Sequence, residues 1–315
     1  MVRAVAVVDF GGPEVLRIVE LPERHAGTGE VRVRVRAAAV NPTDTMLRSG
    51  SRADIVRKAG PPPYVPGMDV AGEVDEVGAD VTTGVAVGDR VMAIVAPTGA
   101  HGGYTESLVL PAESVVAVPA GASFPEAASL PMNALTARLS LDLLDLPTGA
   151  TLAVSGAAGA YGGYVVQLAR ADGLRVIADA SEADEALVRS FGSDEVVRRG
   201  DDAAHRILAV VPGGVDALAD GSVQRELLYP AVRDGGDIAV VRGTPTEAPG
   251  RGITIHEVWV RAYARNHEAL DRLRQQVERG EITPRVAATF TPERAADAHR
   301  ALEAGGVRGR LIIEF

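Results

Sequence analysis

The chain has 315 residues, 46% of them hydrophobic, which is enough apolar side chain for the cores of two domains and too much for a disordered chain. Its formal net charge of −10 repels phosphate backbones, and 4% aromatic residues with no Lys/Arg-rich run leave no basis for a nucleic-acid interface. Cysteine is absent, which removes disulfides, thiolate nucleophiles and thiolate metal sites together.

The start, MVRAVAVVDFGG, reads as a strand and turn, without the apolar stretch of a secretory signal. No apolar run approaches the roughly 20 residues that cross a bilayer. No membrane association and a cytoplasmic location are expected. Val31–Val35 alternates Val with Arg, the period-2 pattern of a half-exposed strand. Val70–Val77 and Arg90–Val95 are further strands, broken by Gly78, Gly84 and Gly88, so the N-terminal third reads as a partly antiparallel β domain. After Pro119–Gly121 the pattern changes. Thr151–Ser155 is a short apolar strand followed by a glycine turn and a helix through Gln167–Ala171. Leu174–Ala178 is the next strand, then a helix over Asp184–Phe191. Glu195–Val197, Val215–Ala219, Ile238–Val241 and His256–Val260 continue the strand series, and such alternation implies a parallel, doubly wound sheet. A helix over Asn266–Glu278 and a last strand, Arg310–Phe315, return the chain to the first domain. The fold class is α/β, a nucleotide domain inserted into a split β domain.

The sharpest local signal is TLAVSGAAGAYGGYVVQLAR, Thr151–Arg170, a strand, a glycine turn and a helix in succession. Gly156, Gly159 and Gly162 recur every third residue, and with Ala158 and Ala160 they let the backbone approach a pyrophosphate held on N–H groups at the helix start. Tyr161 lies against the dinucleotide or faces solvent, and the sequence does not choose between these. About 20 residues on, Asp179 fits the count for an acid that reads the ribose diol of NAD, or else belongs to a capping region, DASEADE, with Ser181 as the cap. Glu182, Asp184 and Glu185 disfavour a 2′-phosphate there, whereas Arg198 and Arg199 could supply positive charge for one.

Several further segments carry a resemblance. AVNPTDTMLRSG (39–50) resembles a VNPxDxxxRxG motif, and PPYVPGMDVAGEVDEVG (62–78) a PxxPGxDxAGxVxxVG motif. VGDRV (87–91), GGYTE (102–106), LPMNALTA (130–137) and VRGRLII (307–313) follow in the same order. Together they resemble the zinc-free, zeta-crystallin-like quinone oxidoreductase branch of the medium-chain dehydrogenase/reductase superfamily, over essentially the whole chain. The resemblance implies a GroES-like catalytic domain over residues 1–120 and 265–315, around a Rossmann domain over 121–264. Ala157 stands where GxGxxG has its first glycine, so the turn resembles the AxxGxxG form of relatives that prefer NADPH. NADPH is therefore expected, with NADH as the alternative.

The same comparison implies that Asn41 and Thr136 lie beside the nicotinamide, acting in both cofactor binding and catalysis, and that Gly243, with Val241 and Arg242, approaches the cofactor. After Asp216 the chain reads ALADGSVQ in place of an apolar strand ending in DxxG, which leaves that edge of the cofactor undefined. Zinc alcohol dehydrogenases carry Cys at the position of Asn41 and GHE at Gly67–Asp69, so no metal is expected. The six histidines, at 25, 101, 205, 256, 267 and 299, each read as surface or turn residues. Met46 stands where many relatives have Tyr and cannot donate a proton, which leaves Tyr64 as a substitute donor or a packed ring. A small quinone or carbonyl is the expected substrate and a homodimer the expected state. A biosynthetic enoyl reductase and a non-catalytic NADPH-binding protein are the competing readings. The loops around 46–64, 96–103 and 244–258 fit no motif and would shape the acceptor pocket.

Overall fold

In the computed structural model, which describes residues 1–243 and 250–315, two apolar runs pair first: β1 (Val2–Val7) lies antiparallel to β2 (Leu16–Leu21). The Val/Arg alternation then builds β3 (Glu30–Val40), with Val31, Val33 and Val35 buried. Its arginines face outward and pair across the sheet, Arg32 with Asp75 at 2.7 Å, Arg34 with Asp75 at 3.1 Å and Arg36 with Glu73 at 2.8 Å. Beyond Arg36 the strand is buried through Val40, so its end delivers Asn41 into the interior. Helices α1 (Pro42–Ser49) and α2 (Ala53–Lys58) follow, then β4 (Asp69–Val77), β5 (Arg90–Ile94), β6 (Ser107–Pro111), β7 (Val115–Ala117) and α3 (Phe124–Ala128). Ser123 and Glu126 form a reciprocal capping box on α3.

Helix α4 (Pro131–Leu144) leads into the second series: β8 (Thr151–Ser155), α5 (Ala160–Ala171), β9 (Arg175–Ala180), α6 (Glu185–Ser190), β10 (Glu195–Arg198), α7 (Ala203–Val210), β11 (Val215–Asp220), β12 (Val232–Val240) and β13 (Thr254–Glu257). The chain closes with α8 (His267–Glu278), β14 (Val286–Phe290), α9 (Ala295–Ala304) and β15 (Arg310–Glu314).

Two units result. Residues 1–132, 261–279 and 284–315 form one, and residues 133–260 and 280–283 the other. In the first, a seven-stranded sheet runs β14-β15-β3-β4-β5-β7, with β6 also pairing β3. The core there is small and β-branched, with Val5, Val33, Val70, Val91, Leu110 and Ile313 at its centre. The second holds six parallel strands in the order β10-β9-β8-β11-β12-β13, the doubly wound arrangement, with α5 packed on β8 and β9.

The observed strands depart from the sequence reading at their ends. β9 runs on to Ala180 and so takes in Asp179, and β11 runs on to Asp220. β12 begins at Val232, because the charged, glycine-containing stretch VRDGG hides a strand whose register shifts against Val215–Ala217. The expected strand His256–Val260 is displaced: its ladder ends at Glu257, and Val260–Tyr263 is a 3₁₀ turn.

Gly72 marks the closest backbone approach within the first sheet. A Cβ there would stand 2.0 Å from the Arg34 carbonyl oxygen, with no flexible side chain to yield. Gly72→Ala is expected to cost more than about 3 kcal/mol of unfolding free energy, read from chemical denaturation; a loss below about 1 kcal/mol would show that β3 and β4 can part.

Candidate functional site

In the parallel unit the strand ends between β8 and β11 mark the switch point, where the crevice of a doubly wound sheet opens. The glycine turn lies there. Gly156 sits at φ 66°, and a Cβ on Gly162 would meet the Gly156 carbonyl oxygen at 2.4 Å and Ala157 Cα at 2.8 Å. Helix and turn therefore touch through backbone, which only glycine allows. Gly159 is the extended N-cap of α5, and Gly163 N–H donates back to its carbonyl at 3.0 Å. By helix geometry the N–H groups of Ala160, Tyr161 and Gly162 have no acceptor within α5, and with Ala158 in the turn below they form a cradle suited to a dinucleotide pyrophosphate.

Asp179 is buried, and its Oδ1 accepts from Gly156 N–H at 2.7 Å and Ala157 N–H at 3.2 Å, so that oxygen faces the turn. Burial pushes its carboxyl up, opposed by the two amides and the Arg199 guanidinium. Tyr161 is half-buried. Its hydroxyl is buried against Ser140 of α4 at 2.8 Å, and burial raises its pKa. Ser181 caps the short turn 182–184, its hydroxyl donating to Asp184. Arg199 is exposed, its N–H on the Ala180 carbonyl at 2.9 Å.

On the other flank Asp220 accepts from Ser155 Oγ at 2.7 Å and from Arg225 N–H at 2.8 Å. These bonds hold a stretch in which Val223 and Arg225 are both left-handed. Arg225 reaches the Arg242 carbonyl at 3.2 Å, beside Gly243 at φ 105°; Val241 precedes them, half-buried. Residues 244–249 of the expected acceptor loop lie outside the described residues. Thr136 is buried on α4, its carbonyl accepting from Ser140 Oγ at 2.8 Å.

In the β-rich unit Asn41 is wholly buried, and its amide nitrogen donates to Asp69 Oδ2 at 2.6 Å. The other Asp69 oxygen accepts from Met132 N–H at the start of α4. Asp44 accepts from Asn41 N–H and Gly67 N–H, both at 2.8 Å, and from the Tyr104 hydroxyl at 3.2 Å, which also lies 3.2 Å from His299 Nε2. Burial raises Asp44 to about 6 and Asp69 to about 7, against the pull of their hydrogen bonds and of Arg310. Burial lowers His299 to about 3. The expectation that every histidine lies at the surface or in a turn therefore fails at His299, which is wholly buried on α9. Its signal in the sequence was only its place on one face of an amphipathic helix.

Tyr64 is buried with its ring stacked on Phe10, centroids 5.4 Å apart, which supports the packed-ring alternative. His101 is half-buried, its pKa lowered first by burial and then by Arg24.

The positions that carry zinc ligands in zinc alcohol dehydrogenases do not fit the ion here. The Asn41 amide nitrogen is committed to Asp69, and the Met68 sulfur accepts the Thr43 hydroxyl at 3.0 Å. Among the described residues no group of three or more His, Cys, Asp or Glu could hold a metal. Nor is any described helix long and apolar enough to cross a membrane.

Comparison with known proteins agrees with this architecture. Residues 27–120 match the alcohol dehydrogenase GroES-like domain, and residues 191–313 the domain described as zinc-binding dehydrogenase. The chain is 30% identical to the quinone oxidoreductase of Mus musculus, over 99% of this chain and 98% of that one. It shares its fold with the Pseudomonas syringae pv. Tomato quinone oxidoreductase, with a TM-score of 0.88 at 26% identity over 100% of both chains. A mycobacterial protein solved in complex with NADPH gives 0.87 at 28% identity, again over 100% of both. A GroES-like unit joined to a doubly wound, glycine-turn unit defines a medium-chain dehydrogenase/reductase, and the chain belongs to the quinone oxidoreductase branch of that superfamily.

The buried groups set opposite pH dependences. Asp44 and Asp69 keep protons in the fold that the unfolded chain releases near 3.8, so their contribution is full below that pH and is lost as pH rises through about 6 and about 7. The unfolded His299 imidazole gains a proton near 6.5 while the buried one resists to about 3, so its contribution is lost as pH falls across that window. Relative to His299→Gln, the unaltered protein should lose stability as pH falls from about 7 to about 4, measured by denaturant unfolding; a constant difference would remove the buried imidazole as a cause.

Proposed function

We propose that this protein is an NADPH-dependent reductase that delivers hydride to a quinone or to an α,β-unsaturated carbonyl without a metal. The observation that carries the reading is the backbone-to-backbone contact of Gly162 with the Gly156–Ala157 turn at the switch point, a cradle that any side chain would fill. Bound NADPH would supply the hydride.

The chain's own residues bind and orient. The first turn of α5 takes the pyrophosphate, and Ser181 and Arg199 are the groups suited to a 2′-phosphate. Val241, Arg242 and Gly243 follow β12, whose end lies next to that of β11 in the sheet, and so suit the cofactor's other half. Asp69 holds the Asn41 amide in one orientation, with its nitrogen turned inward. Asn41 in the β-rich unit and Thr136 in the parallel unit are each polar groups of the kind that can bond a carboxamide or a carbonyl oxygen. Met46 cannot donate a proton and the Tyr64 ring is buried against Phe10, and in this reading water supplies the proton to the reduced oxygen. A quinone suits such a site, because its oxyanion needs no positioned acid at carbon.

We also propose a cytoplasmic homodimer. β13 ends the parallel sheet and pairs only with β12 among the described residues, and Trp259, two residues beyond it, is exposed.

Purified protein should oxidise NADPH faster than NADH, and only when a small para-quinone or an enone is present, followed as loss of reduced-nicotinamide absorbance. Faster NADH turnover would reverse the cofactor assignment. No turnover with quinones, enones or enoyl thioesters would sink the reductase reading.

A further inference from the structure

An acid near the end of the second strand of a dinucleotide-binding unit invites assignment as the ribose ligand, and the sequence count puts Asp179 there. We propose instead that Asp179 is a positioning residue of the cofactor turn, and that the choice between NADPH and NADH falls on Ser181 and Arg199. The inference rests on the dinucleotide-binding reading above.

A carboxylate that reads ribose must offer its oxygens outward to two hydroxyls. Asp179 is 5% exposed, and Oδ1 is shared between the N–H groups of Gly156 and Ala157 at 2.7 and 3.2 Å. The turn needs this acceptor. Gly156 leaves β8 in a left-handed conformation, so the half-buried Gly156 amide and the buried Ala157 amide fall outside the strand ladder and take this oxygen in its place. Two turn amides are thus already spent on protein, and the anion contact moves to the N–H groups of Ala160, Tyr161 and Gly162.

The acidic loop after β9 looks hostile to a 2′-phosphate, but each of its acids has a local partner. Glu182 pairs with Arg198 at 3.2 Å, Glu185 with Arg189 at 2.9 Å, and Asp184 accepts the Ser181 hydroxyl. Arg199 leaves β10 with its N–H on the Ala180 carbonyl, one residue beyond Asp179, and is exposed. Arg199 therefore contributes an accessible guanidinium at the same strand ends, and the Ser181 hydroxyl can turn from Asp184 to a phosphate oxygen.

The test is titration of the full-length protein with NADPH and with NADH, read by reduced-nicotinamide fluorescence, for the unaltered chain, Asp179→Asn, Asp179→Leu and Arg199→Ala. Asp179→Asn keeps the acceptor oxygen, and should bind both cofactors within about three-fold of the unaltered protein with their ratio unchanged. Asp179→Leu loses the acceptor and should weaken both by a common factor of about ten or more. Arg199→Ala should weaken NADPH by about ten-fold and leave NADH within about two-fold.

A change in the NADPH-to-NADH ratio of about ten-fold in Asp179→Asn would overturn the proposal, as would an unchanged ratio in Arg199→Ala. Circular dichroism melting reports whether each variant folds. Should Asp179→Leu fail to fold, the ratios in Asp179→Asn and Arg199→Ala decide by themselves. Failure of the unaltered protein to bind either cofactor would overturn this proposal together with the dinucleotide reading, whereas a shifted ratio with binding intact overturns this proposal alone.

Discussion

Asp69 takes the Asn41 amide on one oxygen and the Met132 backbone N–H on the other, wholly out of water. Asp44 does the same for the backbone N–H groups of Asn41 and Gly67. In the parallel unit Asp179 holds two amides of the glycine turn, and Asp220 holds a serine hydroxyl and the Arg225 amide. The recurring contact is a buried carboxylate at or near a strand end, gathering donors that the sheet has released. A strand that stops inside a protein leaves N–H groups without ladder partners, and an unpaired buried amide costs about 1–3 kcal/mol. The loops at these strand ends can leave the sheets in the interior because these acids receive their donors.

That arrangement shapes the chemistry of both units. In the β-rich unit the side chains at the positions of a zinc site have protein partners: Asp69 for the Asn41 nitrogen, and the Thr43 hydroxyl for the Met68 sulfur. What the strand end then presents is a fixed amide rather than a ligand set. In the parallel unit one Asp179 oxygen is directed into the turn that it supports. The left-handed Val223 belongs to the same arrangement. A β-branched residue in that conformation is strained, and Asp220 holds the segment by accepting the Ser222 hydroxyl before it and the Gln224 and Arg225 amides after it.

Much of this was legible in the chain. Alternation of Val and Arg marks β3, and the glycine triplet marks the β8–α5 turn, because periodicity and the lack of a Cβ are local properties. Asp69 and Tyr104 stood inside quoted motifs, PGMD and GGYTE, yet nothing local shows that Asp69 faces Asn41 or that Tyr104 bridges Asp44 and His299. The start of β12 was hidden, since VRDGG has neither apolar run nor alternation and becomes a strand only by pairing with β11. The direction of Tyr161 was equally out of reach, because its partner Ser140 lies on a different helix.

By itself the sequence determined the class of fold, the family, the position of the glycine turn and the lack of thiolate ligands, all of which rest on residue type and short spacing. Only the tertiary structure decided what the polar groups do. That Asp179 accepts the turn amides, and that His299 meets Tyr104 rather than water, depends on partners 22 and 195 residues away. The free energy of a buried charge or imidazole is set by those distant donors and by the exclusion of water, and neither is a property of the local chain.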